Sequence, residues 1–278
     1  MADLTKLLRA QGEDPLAIDT SATPGVEASG KKAGSRELSE GVDALAELQE
    51  RLFAASRGGQ SERRVLLVLQ AMDTAGKGGI VRHVIGAVDP QGIDHVAFKA
   101  PTEEEKAHDF LWRIEKRLPG PGMIGVFDRS HYEDVLIHRV RHLSTPEEIE
   151  RRYGAIVDFE RGLVDSGTVL VKVMLHISKD EQRERLAERL DRPEKHWKYN
   201  PGDVDERLLW DDYMEAYRIA IRRTDGPATP WYVIPGDHKW YARLAVQHLL
   251  LAALREIDPQ WPPADYDVEV EKARLAAS

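Results

Sequence analysis

The 278-residue chain contains no cysteine. That absence excludes disulfides, a thiolate nucleophile and cysteine-ligated zinc, and it fits a reducing compartment or indifference to redox state. Long apolar runs are missing as well: the longest, Leu249 to Leu254, is far too short to cross a bilayer. The first ten residues carry Asp3, Lys6 and Arg9 and show no apolar segment of signal-peptide type, so a cytoplasmic protein is expected. Positive charge is not in excess either. Lys plus Arg total 39 against 48 Asp plus Glu, and the net charge of −9 argues against binding nucleic acid or an anionic membrane through a broad basic face. Any polyanion site has to be local. No HExxH spacing appears among the ten histidines, so no zinc site is expected, and no GxSxG elbow supports acyl chemistry.

What remains has the composition of a folding globular chain, 42% hydrophobic and 31% charged, so global disorder is not indicated. Residues 11–37 are rich in Gly, Ser, Ala, Thr and Pro without periodicity, and residues 1–37 read as an extended or flexible N-terminal arm. From Leu38 the apolar residues Val42, Leu45, Leu48, Leu52 and Phe53 recur at helical spacing until Gly58-Gly59 ends the pattern. Five short strands follow, at Val65 to Leu69, His95 to Phe98, Met123 to Phe127, Val169 to Leu175 and Trp231 to Ile234. Helix-like stretches at 102–118, 131–140, 147–165 and 179–190 lie between them, and a last helix covers about 237–257. This alternation predicts an α/β fold with a central parallel sheet. A helical excursion occupies the region between the last two strands, with Trp210, Tyr213, Tyr217 and Ile221 on one face, and a lid insertion is expected at about 183–225. The main domain then runs over 38–257, followed by a tail at 258–278.

The first strand leads directly into Ala71-Met72-Asp73-Thr74-Ala75-Gly76-Lys77-Gly78-Gly79. A strand, a Gly-Lys turn and a helix start point backbone N–H groups at one spot, where a phosphate can sit. Compared with GxxxxGK[ST], Ala71 replaces the first glycine and Gly78 the hydroxyl residue that would bind Mg²⁺. The same residues also fit a tight turn bearing an exposed lysine. Asp73 is the informative feature, because a carboxylate inside a phosphate loop repels its ligand unless a cation bridges them. A second carboxylate is then needed at a neighbouring strand end, and Asp128 stands there, followed by Arg129 and Ser130. Asp128 as a plain helix cap is the alternative.

Cations follow. Arg139 lies on the stretch starting near His131, while Arg185, Arg189 and Arg192 recur at i, i+4 and i+7 ahead of Pro193. In 179–198 seven basic residues face six acidic ones, so a solvated helix laced with ion pairs competes with a closing cationic lid face. Lys195-His196-Trp197-Lys198 either extends that face or packs Trp197 beneath the insertion.

Taken together, AMDTAGKGG at 71–79, DRSHYEDVLIHRV at 128–140, ISKDEQRERLAERL at 177–190 and WYVIPGDHKWYAR at 231–243 resemble the polyphosphate kinase 2 family. DPQGI at 89–93, FKAPTEEEKAHDFLWR at 98–113 and PEKHWK at 193–198 also fit, and the resemblance covers about residues 40–257. The branch most resembled phosphorylates both nucleoside mono- and diphosphates. In that branch an Asn often stands where Asp128 stands here, and Asp marks the ADP-preferring branch. The resemblance implies a thymidylate-kinase-like P-loop kinase fold, a three-layer sandwich with a central parallel sheet and a helical lid. It further implies reversible transfer between inorganic polyphosphate and adenine or guanine nucleotides, ADP or AMP above all, with Mg²⁺, or Mn²⁺ as the alternative ion, in a homodimer or homotetramer. By the same resemblance Asp73, Lys77, Asp128 and Arg129 surround metal and phosphates, with Asp73 and Asp128 as the metal ligands. Ala75, Gly76, Gly78, Gly79, Arg139, Arg185, Arg189, Arg192 and Lys198 contact phosphate. An ATP-dependent P-loop kinase and an idle P-loop binding protein are the rival readings.

Overall fold

The computed structural model describes residues 3–26 and 30–278; positions 1, 2 and 27–29, all within the expected N-terminal arm, lie outside the described residues. Five strands, β1 (Arg64–Ala71), β2 (Ile93–Ala97), β3 (Ile124–Asp128), β4 (Thr168–His176) and β5 (Trp231–Pro235), form one sheet in the order β2-β3-β1-β4-β5. Every pairing is parallel. The continuous run Val65 to Leu69 is fully buried, as a central strand covered by helices on both faces has to be.

Helices α1 (Leu4–Leu7) and α2 (Gly30–Arg57) precede β1, and α3 (Lys77–His83) follows it. Between β2 and β3 come α4 (Glu103–Lys106) and α5 (Trp112–Glu115); between β3 and β4, α6 (Ile137–Val140) and α7 (Pro146–Asp165). The β4–β5 connection holds α8 (Lys179–Asp191), α9 (Gly202–Leu208) and α10 (Trp210–Thr224), and the chain ends with α11 (Lys239–Ile257) and α12 (Val268–Ala276). On one face α11 packs on the sheet and carries α2; on the other, α7 packs on β4 and α10 on α7. Three layers result. Local signals set the helix starts: Thr145 accepts from Glu148 N ahead of Pro146 at the head of α7, and Ser178 accepts from Glu181 N (3.0 Å) at the head of α8.

Three elements differ from the sequence-based expectation. The stretch 102–118 is two short helices, broken where the Asp109 carboxylate accepts from Leu111 N (3.1 Å). The stretch 131–140 is a 3-10 turn, His131–Asp134, capped by Ser130 Oγ on Tyr132 N (3.2 Å), and then α6, with the chain leaving helical geometry at Leu136 (φ −96°, ψ −82°) between them. Arg139 therefore sits on α6, separate from the turn that begins at His131. The arm is extended but docked: Leu4, Leu8 and Leu16 are buried, Ala10 N donates to Trp231 O (2.8 Å) and Val233 N to Leu8 O (2.8 Å). Its last residues, from Gly30, already belong to α2.

Candidate active site

Strand order reverses about β1, whose two neighbours are β3 and β4, and ligands of open α/β sheets bind beyond the carboxyl ends of strands at such a point. The loop after β1 lies there. Thr74 (φ 66°) and Gly76 (φ 122°) adopt left-handed-side backbone angles, and Gly76 takes one that a side chain strongly disfavours. Immediately after β3, Arg129 is also left-handed (φ 63°), with its N–H donating to Leu69 O (3.0 Å). Non-glycine residues in this region store strain of the kind that concentrates at functional loops.

A cleft of about 700 Å³ opens between these loops and the lid. Asp73, Ala75, Gly76, Lys77, Gly78, Gly79, Asp128, Arg129, Arg189 and Lys198 all line it, so most of the expected site converges. Arg82, Lys99 and Arg243 line it too; none had been given a role, although Lys99 and Arg243 lie inside quoted motifs. Seven Lys and Arg side chains thus face two carboxylates, a local concentration of positive charge in a chain whose net charge is −9. Lys77 is buried and donates from Nζ to Ala71 O (3.2 Å), bracing the loop against the end of β1. Arg129 donates to Asp73 Oδ1 (2.8 Å).

The remaining expected residues lie elsewhere. Arg139 lines a separate cavity of about 340 Å³ with His142, Asp212 and Glu215. Arg192 is half-exposed and paired with Glu188 and Glu194, so the ion-pair reading of this stretch holds for it. Arg185 is buried, with every guanidinium donor directed at protein acceptors. Spacing had aligned Arg185, Arg189 and Arg192, but it could not reveal their partners.

A smaller cavity of about 210 Å³ adjoins the cleft, sharing Asp73 and Arg129 and lined further by Glu133, Asp203, Glu206, Tyr213 and Tyr217. Burial raises the Glu133 carboxyl above its ordinary range against the pull of Arg129 and Lys77. Burial and the nearby Asp73 raise Asp203. Burial opposes the charge on Arg129, but Glu133 and Asp73 outweigh it and hold the guanidinium charged. Gln70 spans the base of this group: the amide orientation that satisfies both ends donates to Glu133 Oε1 (2.9 Å) and accepts from Ser130 Oγ (3.0 Å). Glu133 and Asp203 were not anticipated; Glu133's place within the Asp-Arg-Ser-His-Tyr-Glu run was the available signal.

Behind the site, Lys172 on β4 and Glu160 on α7 form a fully buried ion pair (2.6 Å). Tyr132 donates to Glu160 Oε1 (2.7 Å), its hydroxyl oxygen lies 2.9 Å from Thr224 Oγ1, and Lys172 also donates to Thr224 O (2.8 Å). The turn after Asp128, the sheet and the end of α10 are tied at one point. His131 faces Glu160, and His138 bonds Ser144 through Nδ1 (2.9 Å), so both act as local hydrogen-bonding groups.

Asp73 and Asp128 offer hard oxygen donors beside a phosphate loop. Among the described residues no three His, Asp, Glu or Cys side chains gather into a metal cage. A cation here is therefore suited to one or two carboxylates plus substrate phosphate oxygens and water, the donor set that Mg²⁺ favours. The residues fit the ion.

A five-stranded parallel sheet flanked by helices, with a Gly-Lys loop at its switch point and a carboxylate at the end of the adjacent strand, defines a P-loop phosphotransferase. The chain belongs to the polyphosphate kinase 2 family, whose model matches residues 28–262. It is 47% identical over 244 residues, 88% of each chain, to the AMP/ADP-polyphosphate phosphotransferase of Meiothermus ruber. It is 42% identical to the ADP-polyphosphate phosphotransferase of Rhodopseudomonas palustris, over 80% of this chain and 79% of that one. The crystal structure of polyphosphate kinase 2 from Arthrobacter aurescens TC1 superposes with a TM-score of 0.96 at 55% identity, covering 100% of this chain and 98% of that one. Among the described residues no helix is long and apolar enough to cross a membrane.

Proposed function

We propose that the protein moves a phosphoryl group between inorganic polyphosphate and ADP or AMP, reversibly and with Mg²⁺. The observation that carries this reading is the cleft of seven cationic side chains around the phosphate loop, in a chain of the polyphosphate kinase 2 family. A long polyanion needs an extended row of cations that a nucleotide's phosphates alone do not.

In this reading Lys77 and the loop amides hold phosphates at the bottom of the cleft, while Arg189 and Lys198 approach from the lid. Asp73 and Asp128 would hold Mg²⁺, which when bound neutralises phosphate charge. Arg129, already oriented by Asp73, reaches the transferring group. A terminal phosphate oxygen of the acceptor attacks the end phosphorus of polyphosphate, the bond to the shortened chain breaks, and the negative charge passes to that leaving oxygen. No protein nucleophile is required, so the residues act by in-line positioning and charge neutralisation.

The test offers AMP with either polyphosphate or ATP as donor and separates the products by anion exchange. The reading expects ADP and then ATP from polyphosphate. Product from ATP alone, with polyphosphate inert, overturns it in favour of an ATP-dependent kinase.

A further inference from the structure

We propose that Arg185 is a positioning residue that holds the phosphate loop in shape, supported from outside by the N-terminal arm through Thr20 and Asp237, rather than a phosphate ligand. A guanidinium has five N–H donors. Here all five are used: Nε donates to Glu181 Oε1 (2.6 Å), Nη1 to Thr74 O (3.1 Å) and Ala75 O (2.8 Å), and Nη2 to Gly236 O (2.6 Å) and Asp237 O (3.1 Å). The side chain is 5% exposed. No donor is left for a substrate oxygen, and withdrawing Nη1 would strand two loop carbonyls, withdrawing Nη2 two carbonyls after β5.

The loop is held at three successive carbonyls, since Gln182 Nε2 on the same helix donates to Asp73 O (3.1 Å). In a trans peptide C=O and N–H point oppositely, so fixing the carbonyls of Asp73 and Ala75 fixes the amides of Thr74 and Gly76. This is also where the backbone is strained, at Thr74 (φ 66°). Strained conformations persist only where surroundings impose them, and Arg185 is the group that bridges the loop to the far side of the site.

The arm completes the support. Thr20 Oγ1 donates to Asp237 Oδ2 (2.7 Å), Asp237 N donates to Thr20 O (3.1 Å), and Asp237 Oδ1 accepts from Ser178 N (2.8 Å) at the head of α8. The arm thereby clamps both the residue whose carbonyl Arg185 binds and the start of the helix that carries Arg185.

The inference rests on the proposed reading of the cleft, and its test is read first on the free protein, where donor identity has no influence. Hydrogen exchange over residues 71–79 is compared for wild type, Arg185→Lys and Thr20→Val. A lysine keeps the charge but cannot bridge five acceptors, so Arg185→Lys is expected to speed loop exchange about tenfold. In turnover with polyphosphate it is expected to lower kcat about 100-fold, as for misplacement by about 1 Å, with the polyphosphate KM changed less than about threefold. Thr20→Val, in the docked arm, moves both readouts the same way by less, and it carries the test should Arg185→Lys not fold. Unchanged loop exchange in Arg185→Lys with a raised polyphosphate KM and normal kcat overturns the proposal, as does Thr20→Val with wild-type loop exchange.

Discussion

Arg129 and Asp73 meet across 2.8 Å, joining the loop after β3 to the loop after β1 at the wall shared by the cleft and its adjoining cavity. The carboxylate both orients the cation and leaves Oδ2 for a metal ion. Asp73→Asn removes both contributions while keeping the shape. We expect it to lower kcat by about 100-fold or more, roughly the loss of one transition-state charge contact, with the fold intact by circular dichroism. Wild-type turnover in steady-state kinetics contradicts this.

Gly76 sits at φ 122° at the head of α3, where an added Cβ would meet Arg185 Nη1 at an ordinary contact distance of 3.9 Å, so conformation rather than space opposes a side chain. Gly76→Ala is expected to lose about 1–3 kcal/mol of stability in urea unfolding. If the loop relaxes instead, stability returns but kcat falls. Wild-type values of both exclude the backbone constraint.

Lys198 and Arg192 separate a cleft cation from a surface one. Lys198 lines the cleft, whereas Arg192 is half-exposed and bonded to Glu188 and Glu194. Lys198→Ala should raise the polyphosphate KM about tenfold, the equivalent of one charge-assisted contact. Arg192→Ala should stay within about twofold. Initial rates against polyphosphate concentration decide, and equal effects refute the placement.

The strands were legible because buried parallel strands are unbroken apolar runs; Val65 to Leu69 and Val169 to Leu175 lie inside β1 and β4. The placement of the loop at 71–79 and of Asp128 at strand ends was legible because both are local in sequence. The early start of α2 was not, since Gly30, Gly34 and Ser35 lower the helical propensity of its first turns, which are held by contact, with Gly34 beneath Trp240. Nor were the partners of Arg185, which are mostly backbone carbonyls distant in sequence and leave no trace in residue type. Arg139 was misplaced for a third reason: its position presumed a continuous helix over 131–140, which breaks at Val135 and Leu136.

Glu160 and Lys172 are fully buried and paired. Breaking the pair with Glu160→Gln leaves the Lys172 charge uncompensated, and we expect a loss of about 3–5 kcal/mol in urea unfolding. Although burial opposes it, Lys172 holds Glu160 below the ordinary glutamate value of 4.5. Its share of stability is therefore complete above that pH and lost as pH falls through the lower folded value. That part of the acid sensitivity should be missing in Glu160→Gln; an unchanged pH profile of stability argues against the charged pair.

The most direct measurement is ³¹P NMR of the protein with Mg²⁺ and polyphosphate, offered ADP and AMP separately, beside Asp128→Asn. New γ-phosphate signal from ADP, or β-phosphate signal from AMP, with turnover lowered far more than nucleotide affinity in the variant, is the predicted result. Nucleotides left unchanged by polyphosphate while ATP phosphorylates an acceptor would contradict the account.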